Sequence, residues 1–298
     1  MATEIKRATA LVVIEAVNSS ANSEVDTSDP RSRSNGLGEI SPVSFKRKIR
    51  DIVGDHEGIF FQSLPAKFRD HPDRYNLLEA PDIDKKLVIS QLSKDPAHYD
   101  NDAFLKSQFV HYYWDGRVFG NTFLNEGLHR GFIKTGVIQI GMGLSICPIE
   151  IDRLTYTSVA PKGTPKDGDK ESGKMAPLGY RVVQHAVYCL PIFVNPNYAH
   201  KTGCTADDVE LFKLTMPYAY DLTRSAVRPD VRIRHAWYIE HKSPLGSWPD
   251  YQLIDALTPT RKGNVNEPSA SWNDYIDKTG LPEHLLSRVE SCVDLALQ

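Results

Sequence analysis

The chain has 298 residues, 41% hydrophobic and 24% charged, enough apolar side chain for one large core to bury roughly 75% of the unfolded surface. Its net charge of −3 excludes a protein that is basic throughout, so a nucleic-acid surface has to be a local stripe set against acidic faces elsewhere. Cys147, Cys189, Cys204 and Cys292 are far apart with no Cys-x-x-Cys spacing, which argues against a disulfide framework or a zinc site and for reduced, buried thiols.

Residues 8–17 (ATALVVIEAV) are near-continuously apolar and read as a first strand covered on both faces. The run is too short to cross a bilayer and has no small-residue cleavage site, so a cytoplasmic protein without a membrane span is expected. Residues 18–40, rich in Ser, Asn, Asp and Gly and carrying Arg31 and Arg33, read as a long mobile loop. Ser41 is then a good N-cap and Pro42 suits the first helical position, so a helix runs over 41–53. Phe45, Ile49, Ile52 and Val53 fall on one side of it, and Lys46, Arg47, Lys48 and Arg50 are expected to fan across the other as a rigid cationic face. Phosphate oxygens are the natural partner of such a face.

Residues 55–102, punctuated by Pro65, Pro72, Pro81 and Pro96, read as an insertion of short helices. The aromatic-dense stretch 104–123 has helical spacing in its first half, with Gly116 and then Gly120 ending or kinking it. A strand over 132–144 contains glycines that let another backbone approach closely, and further strands follow at 149–159 and 179–194. Between those two, 160–175 has almost nothing to bury and reads as the tip of a protruding hairpin. Thr205 caps a second helix over 205–222, interrupted near Pro217, and 231–241 alternates basic and apolar residues as a strand with one solvated face. The tail closes with a helix over 283–297. Strand, helix, strands with an excursion, strand, helix, strand is the order of an α+β, ferredoxin-like (RRM-like) βαββαβ core with insertions.

Nucleotide chemistry has no support. Gly141-Met142-Gly143 and Gly36-Leu37-Gly38 lack the third glycine and the strand-to-helix context of a dinucleotide loop, and no Gly-Lys-Ser/Thr is present. His235 and His241 share one predicted strand and read as polar core or surface groups, so no metal or cofactor is assigned. No nucleophile-elbow pattern occurs. Asp26 and Asp29 read as turn formers, with acid–base work on RNA as the other reading. Arg117-Val118-Phe119-Gly120 matches half of the base-stacking motif of RRM sheets but departs from it at Val118 and Asn121, and reads mainly as core packing.

Several short motifs in order nevertheless form a recognisable set: Ser44-Phe45-Lys46-Arg47-Lys48-Ile49-Arg50-Asp51 after the first strand, Trp114-Asp115-Gly116-Arg117-Val118-Phe119-Gly120, and Ser145-Ile146-Cys147-Pro148-Ile149 leading to Arg153-Leu154-Thr155. Phe193-Val194-Asn195-Pro196, Lys201-Thr202-Gly203 and Asp221-Leu222-Thr223-Arg224-Ser225-Ala226 extend it. From about residue 8 to about residue 262 the chain resembles the CRISPR Cas-seven family, with type I-C the best fit and type I-B next.

The resemblance implies one Cas-seven-like unit over 1–298: an RRM-like palm at 8–54 and 103–262, fingers at 55–102, a thumb β-hairpin at 153–178 and a C-terminal extension at 263–298. It implies a non-catalytic backbone subunit of a type I Cascade surveillance complex in antiviral defence. Such subunits stack head to tail along the CRISPR guide RNA and present its bases for pairing with a target DNA strand, beside further copies and other Cascade subunits. The residues expected to contact RNA are Ser44, Lys46, Arg47, Lys48 and Arg50 on the helix, Arg31 and Arg33 in the loop, and Arg117, Gly120, Lys134, Gln139, Arg153 and Thr155 elsewhere on the palm. Two readings compete with it: a type III-like subunit with ribonuclease activity through Asp26 or Asp29, and a stand-alone module for single-stranded RNA.

Overall fold

The computed structural model describes residues 4–80, 105–120, 134–159 and 175–297, with the backbone alone at 155–159 and 175–178. The apex of the expected hairpin (160–174), the later part of the expected insertion (81–102) and the stretches 121–123 and 132–133 lie outside the described residues. In chain order the strands are β1 (Ala8–Ser19), β2 (Leu37–Ile40), β3 (Ile138–Ile140), β4 (Gly143–Pro148), β5 (Ile151–Val159), β6 (Met175–Val194), β7 (Val231–Glu240), β8 (Thr260–Arg261), β9 (Tyr275–Ile276) and β10 (Ser291–Asp294). The helices are α1 (Pro42–Val53), α2 (Ile59–Ser63), α3 (Ala66–Arg69), α4 (Gln108–Tyr112), α5 (Trp114–Phe119), α6 (Ala199–Thr202), α7 (Ala206–Thr215), α8 (Asp250–Leu257) and α9 (Glu283–Leu286).

β1 is apolar at nearly every position because both of its faces are covered. Ala8, Ala10, Val12, Ile14 and Ala16 turn to one side, where the small alanines let α1 and α7 approach the sheet with Phe45, Ile49, Val209 and Phe212. Leu11 and Val13 turn to the other, against Trp237 and Ile239 of β7, Leu253 and Leu257 of α8, and Leu281 and Leu285 of the C-terminal segment. Among the described residues the main sheet has eight strands in the order β10, β7, β1, β6, β4, β2, with β3 and β5 also paired to β6. Every pairing is antiparallel. The 20-residue length of β6 explains the arrangement: β3 pairs near its end, β4 near residue 189, and β5 along its first half, so one strand serves both the sheet and a long hairpin arm.

Local signals placed several boundaries where the structure has them. α5 stops at Gly120, whose φ of +93° suits glycine, and a Cβ there would collide with the Lys134 carbonyl oxygen where the 134–136 backbone crosses. α7 opens on a capping box between Thr205 and Asp208 and gives way to a 3-10 turn at Pro217. Short helices α2 and α3 begin the region after α1.

Three expectations are corrected. The loop after β1 is tied down: Arg31 N–H donates to Asn22 O at 2.9 Å, Glu39 N–H to Arg31 O at 2.9 Å, and Ser41 N–H to the Asn22 side chain at 2.8 Å. The expected solvated face of β7 is confined to its first half, where Arg232 stays exposed and Arg234 half-buried, because α8 and the C-terminal segment cover the rest and leave Ala236 through Ile239 enclosed. The expected final helix over 283–297 breaks after Leu286, because β10 pairs with the free edge of β7 and satisfies backbone groups that an edge strand leaves open. Buried polar pairs hold this segment in place. His235 stands between Asp294 at 2.6 Å and Asp277 at 2.8 Å; burial opposes its charge, but the two carboxylates outweigh it and its pKa is raised. His185 joins Ser269 at 2.8 Å to Glu15 at 3.1 Å, and Arg234 completes the cluster at 2.6 Å from Glu15.

Candidate nucleic-acid interface

Ser41 caps α1 by accepting the Ser44 N–H at 3.2 Å, which fixes where the basic run starts and which way it faces. Phe45, Ile49, Ile52 and Val53 are buried as their spacing predicts. The cations do not form one exposed fan. Arg47 is exposed and paired with Asp51 one turn on, at 2.5 Å. Lys46 is half-buried with its ammonium 5.1 Å from the Phe119 ring centroid, and burial, then Arg50, lowers its pKa. Lys48 is only 7% exposed; burial, then Arg228, brings its pKa down to about 8. Arg50 is 5% exposed and bonds Asp115 at 2.9 Å and Glu79 at 3.0 Å. The physical reason is crowding: α5 covers the 46/50 side of α1, and the segment after α7 approaches Lys48, leaving a narrow solvent stripe.

Arg117 is placed inside the protein, 1% exposed. Its Nε and Nη2 donate to the two carboxylate oxygens of Asp208 at 3.0 and 2.7 Å, and its remaining N–H groups donate to the carbonyls of Val110, His111 and Arg74. All five donors are used, so no part of this guanidinium faces a phosphate. Asp115 works in the same way, accepting the Leu78 and Glu79 N–H groups at 2.7 and 3.2 Å as well as Arg50. The Trp114–Phe119 helix and its stop at Gly120 therefore carry the ion pairs that lock α1, α5, α7 and the 74–79 stretch together.

The other candidates gather in two places. Gly120, Lys134 and Gln139 meet at the backbone crossing, where Gln139 donates to Gly136 O at 2.9 Å and burial, then Lys201, lowers the pKa of Lys134. At the loop, Arg31 pairs with Glu39 at 3.3 Å and Glu24 at 3.4 Å, and Arg33 with Glu39 at 3.0 Å. Arg153 is exposed on β5 directly opposite Arg181 on β6, and Asp29 offsets the like-charge pair through an ion pair with Arg181. That hydrogen bond from Arg181 is the main reason the Asp29 pKa is lowered. The Thr155 backbone pairs with Gly179, and its side chain lies outside the described set. Sequence reasoning did not find Arg181 or Arg228, since each works with residues more than a hundred positions away and has no local motif of its own.

Beyond the cations, an apolar groove of about 290 Å³ lies between α2 and the end of α7, lined by Ile59, Phe60, Leu64, Leu214, Tyr218 and Leu222. Among the described residues no group of three His, Cys, Asp or Glu side chains is arranged to hold a metal ion, and no helix is long and apolar enough to cross a membrane.

The model of the family described as CRISPR-associated protein Cas7 matches residues 6–279. No curated protein matches the chain. Among solved structures the chain is similar to one described as "CRISPR RNA-guided surveillance complex, pre-nicking", at 13% identity over 78% of this chain and 77% of that chain, with a TM-score of 0.42. It is also similar to one described as "CRISPR RNA-guided surveillance complex", at 15% identity over 76% and 68%, with a TM-score of 0.36.

Proposed function

The chain belongs to the CRISPR-associated protein Cas7 family, and on that premise we propose that it is a non-catalytic, guide-RNA-binding backbone subunit of a type I Cascade, closest to the type I-C branch. The observation that carries the reading is the extent of the family match, residues 6–279, which spans the segments expected to form palm, fingers and thumb. Further support comes from the strand order β7, β1, β6, β4 with α1 and α7 on one face, which is that of a ferredoxin-like palm. In this reading α2 and α3 begin the fingers, and the β5 and β6 arms are the base of a thumb.

The proposed RNA path is supported by what is covered. RRM sheets stack bases on the face away from their helices, and here α8 and the C-terminal segment occupy the equivalent face. The guide strand therefore runs along the loop after β1 and the exposed stripe of α1, held by phosphate contacts, with base pairing left to read sequence. Copies stack head to tail as a non-closing assembly. The apolar groove between α2 and α7 is a candidate subunit contact. Against the ribonuclease reading stands Asp29, whose carboxylate is engaged by Arg181.

Titrating the protein onto guide RNAs of increasing length tests this. The bound mass should rise in steps with RNA length, and complementary RNA should stay uncut. One copy per RNA at every length would favour the stand-alone module. A regular cleavage ladder lost in Asp26→Ala or Asp29→Ala would establish the ribonuclease.

A further inference from the structure

Three histidines are buried beside carboxylates, and two of them have surroundings that a neutral ring satisfies. His185 has the Ser269 hydroxyl at 2.8 Å on one nitrogen and Glu15 at 3.1 Å on the other. His241 accepts the Ser247 N–H at Nδ1, 3.1 Å, and sets Nε2 at 3.0 Å from the Thr9 hydroxyl and 3.3 Å from Asp250. A hydroxyl donates or accepts and an N–H donates, so one proton on each ring is enough. His235 is different. Its Nδ1 lies 2.6 Å from an Asp294 oxygen and its Nε2 2.8 Å from an Asp277 oxygen. Ionised carboxylates only accept, so a neutral ring would aim a lone pair at one of them, and only the imidazolium has a donor for both.

The two carboxylates belong to the segment that closes one edge of the sheet. Asp294 ends β10, and its other oxygen accepts the N–H groups of Ala236 at 2.9 Å and Ala296 at 3.1 Å. Asp277 directly follows β9. β10 pairs with β7 along residues 237–240 and passes from one core to the other, with Cys292 packed on the Trp237 side and Leu295 and Ala296 on the side of α1 and α7. Leu285 and Val289 before it are buried, but every residue from 290 to 297 is half-buried or exposed. With so little apolar anchorage, this stretch depends on its polar ties.

We propose that His235 is a proton-dependent clamp on the strap 290–297: as an imidazolium it ties β10 to the fold through Asp294 and Asp277, and on losing its proton it lets β10 lift from β7 and bare that edge of the sheet. Among the described residues, β1 faces the ring with Val13, and Trp237 stacks on it at 5.0 Å. The other charged or titratable groups on this side are Arg234, held by Glu15 and lying over the Trp272 ring, Lys278, whose N–H donates to Asp277, Tyr275 beside Trp272, and the Cys292 thiol. Burial pushes the Tyr275 phenol up and the Cys292 thiol up to about 11, so neither ionises near neutrality. Burial works against the charge of His235 and the two carboxylates outweigh it, so the ring keeps its proton above the ordinary value of about 6.5. Once β10 has lifted, Asp277 alone remains, which a neutral ring serves, so the open state binds the proton less tightly. The clamp is therefore complete below about pH 6.5 and is lost as the pH rises through the raised pKa.

Hydrogen exchange of the full chain, read by mass spectrometry on peptides covering 290–297 and corrected for the intrinsic effect of pH, tests this. In the wild type the protection of β10 should fall by at most about tenfold per pH unit as His235 loses its proton, then level off, while β1 keeps its protection. Asp277→Asn should hold the acid-side protection throughout, because the amide donates to the lone pair of neutral Nε2 while Nδ1–H still serves Asp294. His235→Gln should be insensitive to pH and no better protected than the wild type on the alkaline side. The His235 ring proton resonance supplies the midpoint independently. Protection of β10 that does not change with pH in the wild type overturns the clamp, as does a pH-dependent loss that survives in either variant. So do an Asp277→Asn chain fixed at the alkaline level, which would make Asp277 a structural tie only, and a His235 midpoint at or below about 6.5.

Discussion

Arg117→Ala should cost about 3–5 kcal/mol of folding stability, measured as a shift of the urea midpoint, because it strands a buried carboxylate. Arg117 and Asp208 side chains are each 1% exposed and joined through both carboxylate oxygens, and the same guanidinium satisfies three backbone carbonyls from two stretches of chain. Removing it leaves Asp208 charged in the interior and frees the end of the 72–75 turn and α4 from α7. The double variant Arg117→Leu with Asp208→Leu should recover a large part of the loss, since no lone charge then remains buried. A loss below about 1 kcal/mol, typical of an exposed pair, would mean that solvent reaches the guanidinium. The RNA affinity of whatever fraction stays folded should be unchanged, which separates Arg117 from the surface cations.

The second large effect is on RNA. Changing Lys46, Arg47 and Arg153 together to Gln should flatten the log–log salt dependence of RNA binding by about 2, since each single-strand phosphate contact contributes roughly 0.7. None of the three belongs to a buried pair: Lys46 lies over the Phe119 ring, Arg47 shares an exposed pair with Asp51, and Arg153 is open to solvent. The fold should therefore persist, losing at most about 1 kcal/mol for the exposed pair. Arg50 has to be left in place, because its removal would expose Asp115 to the same cost as Asp208. Fluorescence anisotropy across a salt series reads the slope; a folded variant with the wild-type slope would show that these cations are only a solvated face.

What could be read from the residues in advance was what short-range physics decides. The double-sided burial of β1, the Ser41 cap, the stop at Gly120 and the break at Pro217 depend on a few neighbouring residues, and each is where local chemistry puts it. The fate of the basic run was not legible, because it depends on distant partners. Arg50 is claimed by Asp115, 65 positions on, and Lys48 is crowded by Arg228, 180 positions on. Along a helical wheel both belong to the polar side; only the arrival of α5 and the segment after α7 makes that side largely interior. The last strand was hidden for a similar reason. Ser291-Cys292-Val293-Asp294 has no pronounced period, and the free edge of β7 decides its conformation. In the Trp114–Gly120 motif the chemistry-bearing residues, Asp115 and Arg117, turned out to hold the fold.

The central claim, that this chain is built to hold a guide RNA, is tested most directly by expressing it with and without a CRISPR array and isolating what co-purifies. The account predicts array-dependent RNA of guide length, protected from nuclease, in particles containing several copies of the chain. A monodisperse protein that carries no RNA and does not oligomerise when the array is present would contradict it.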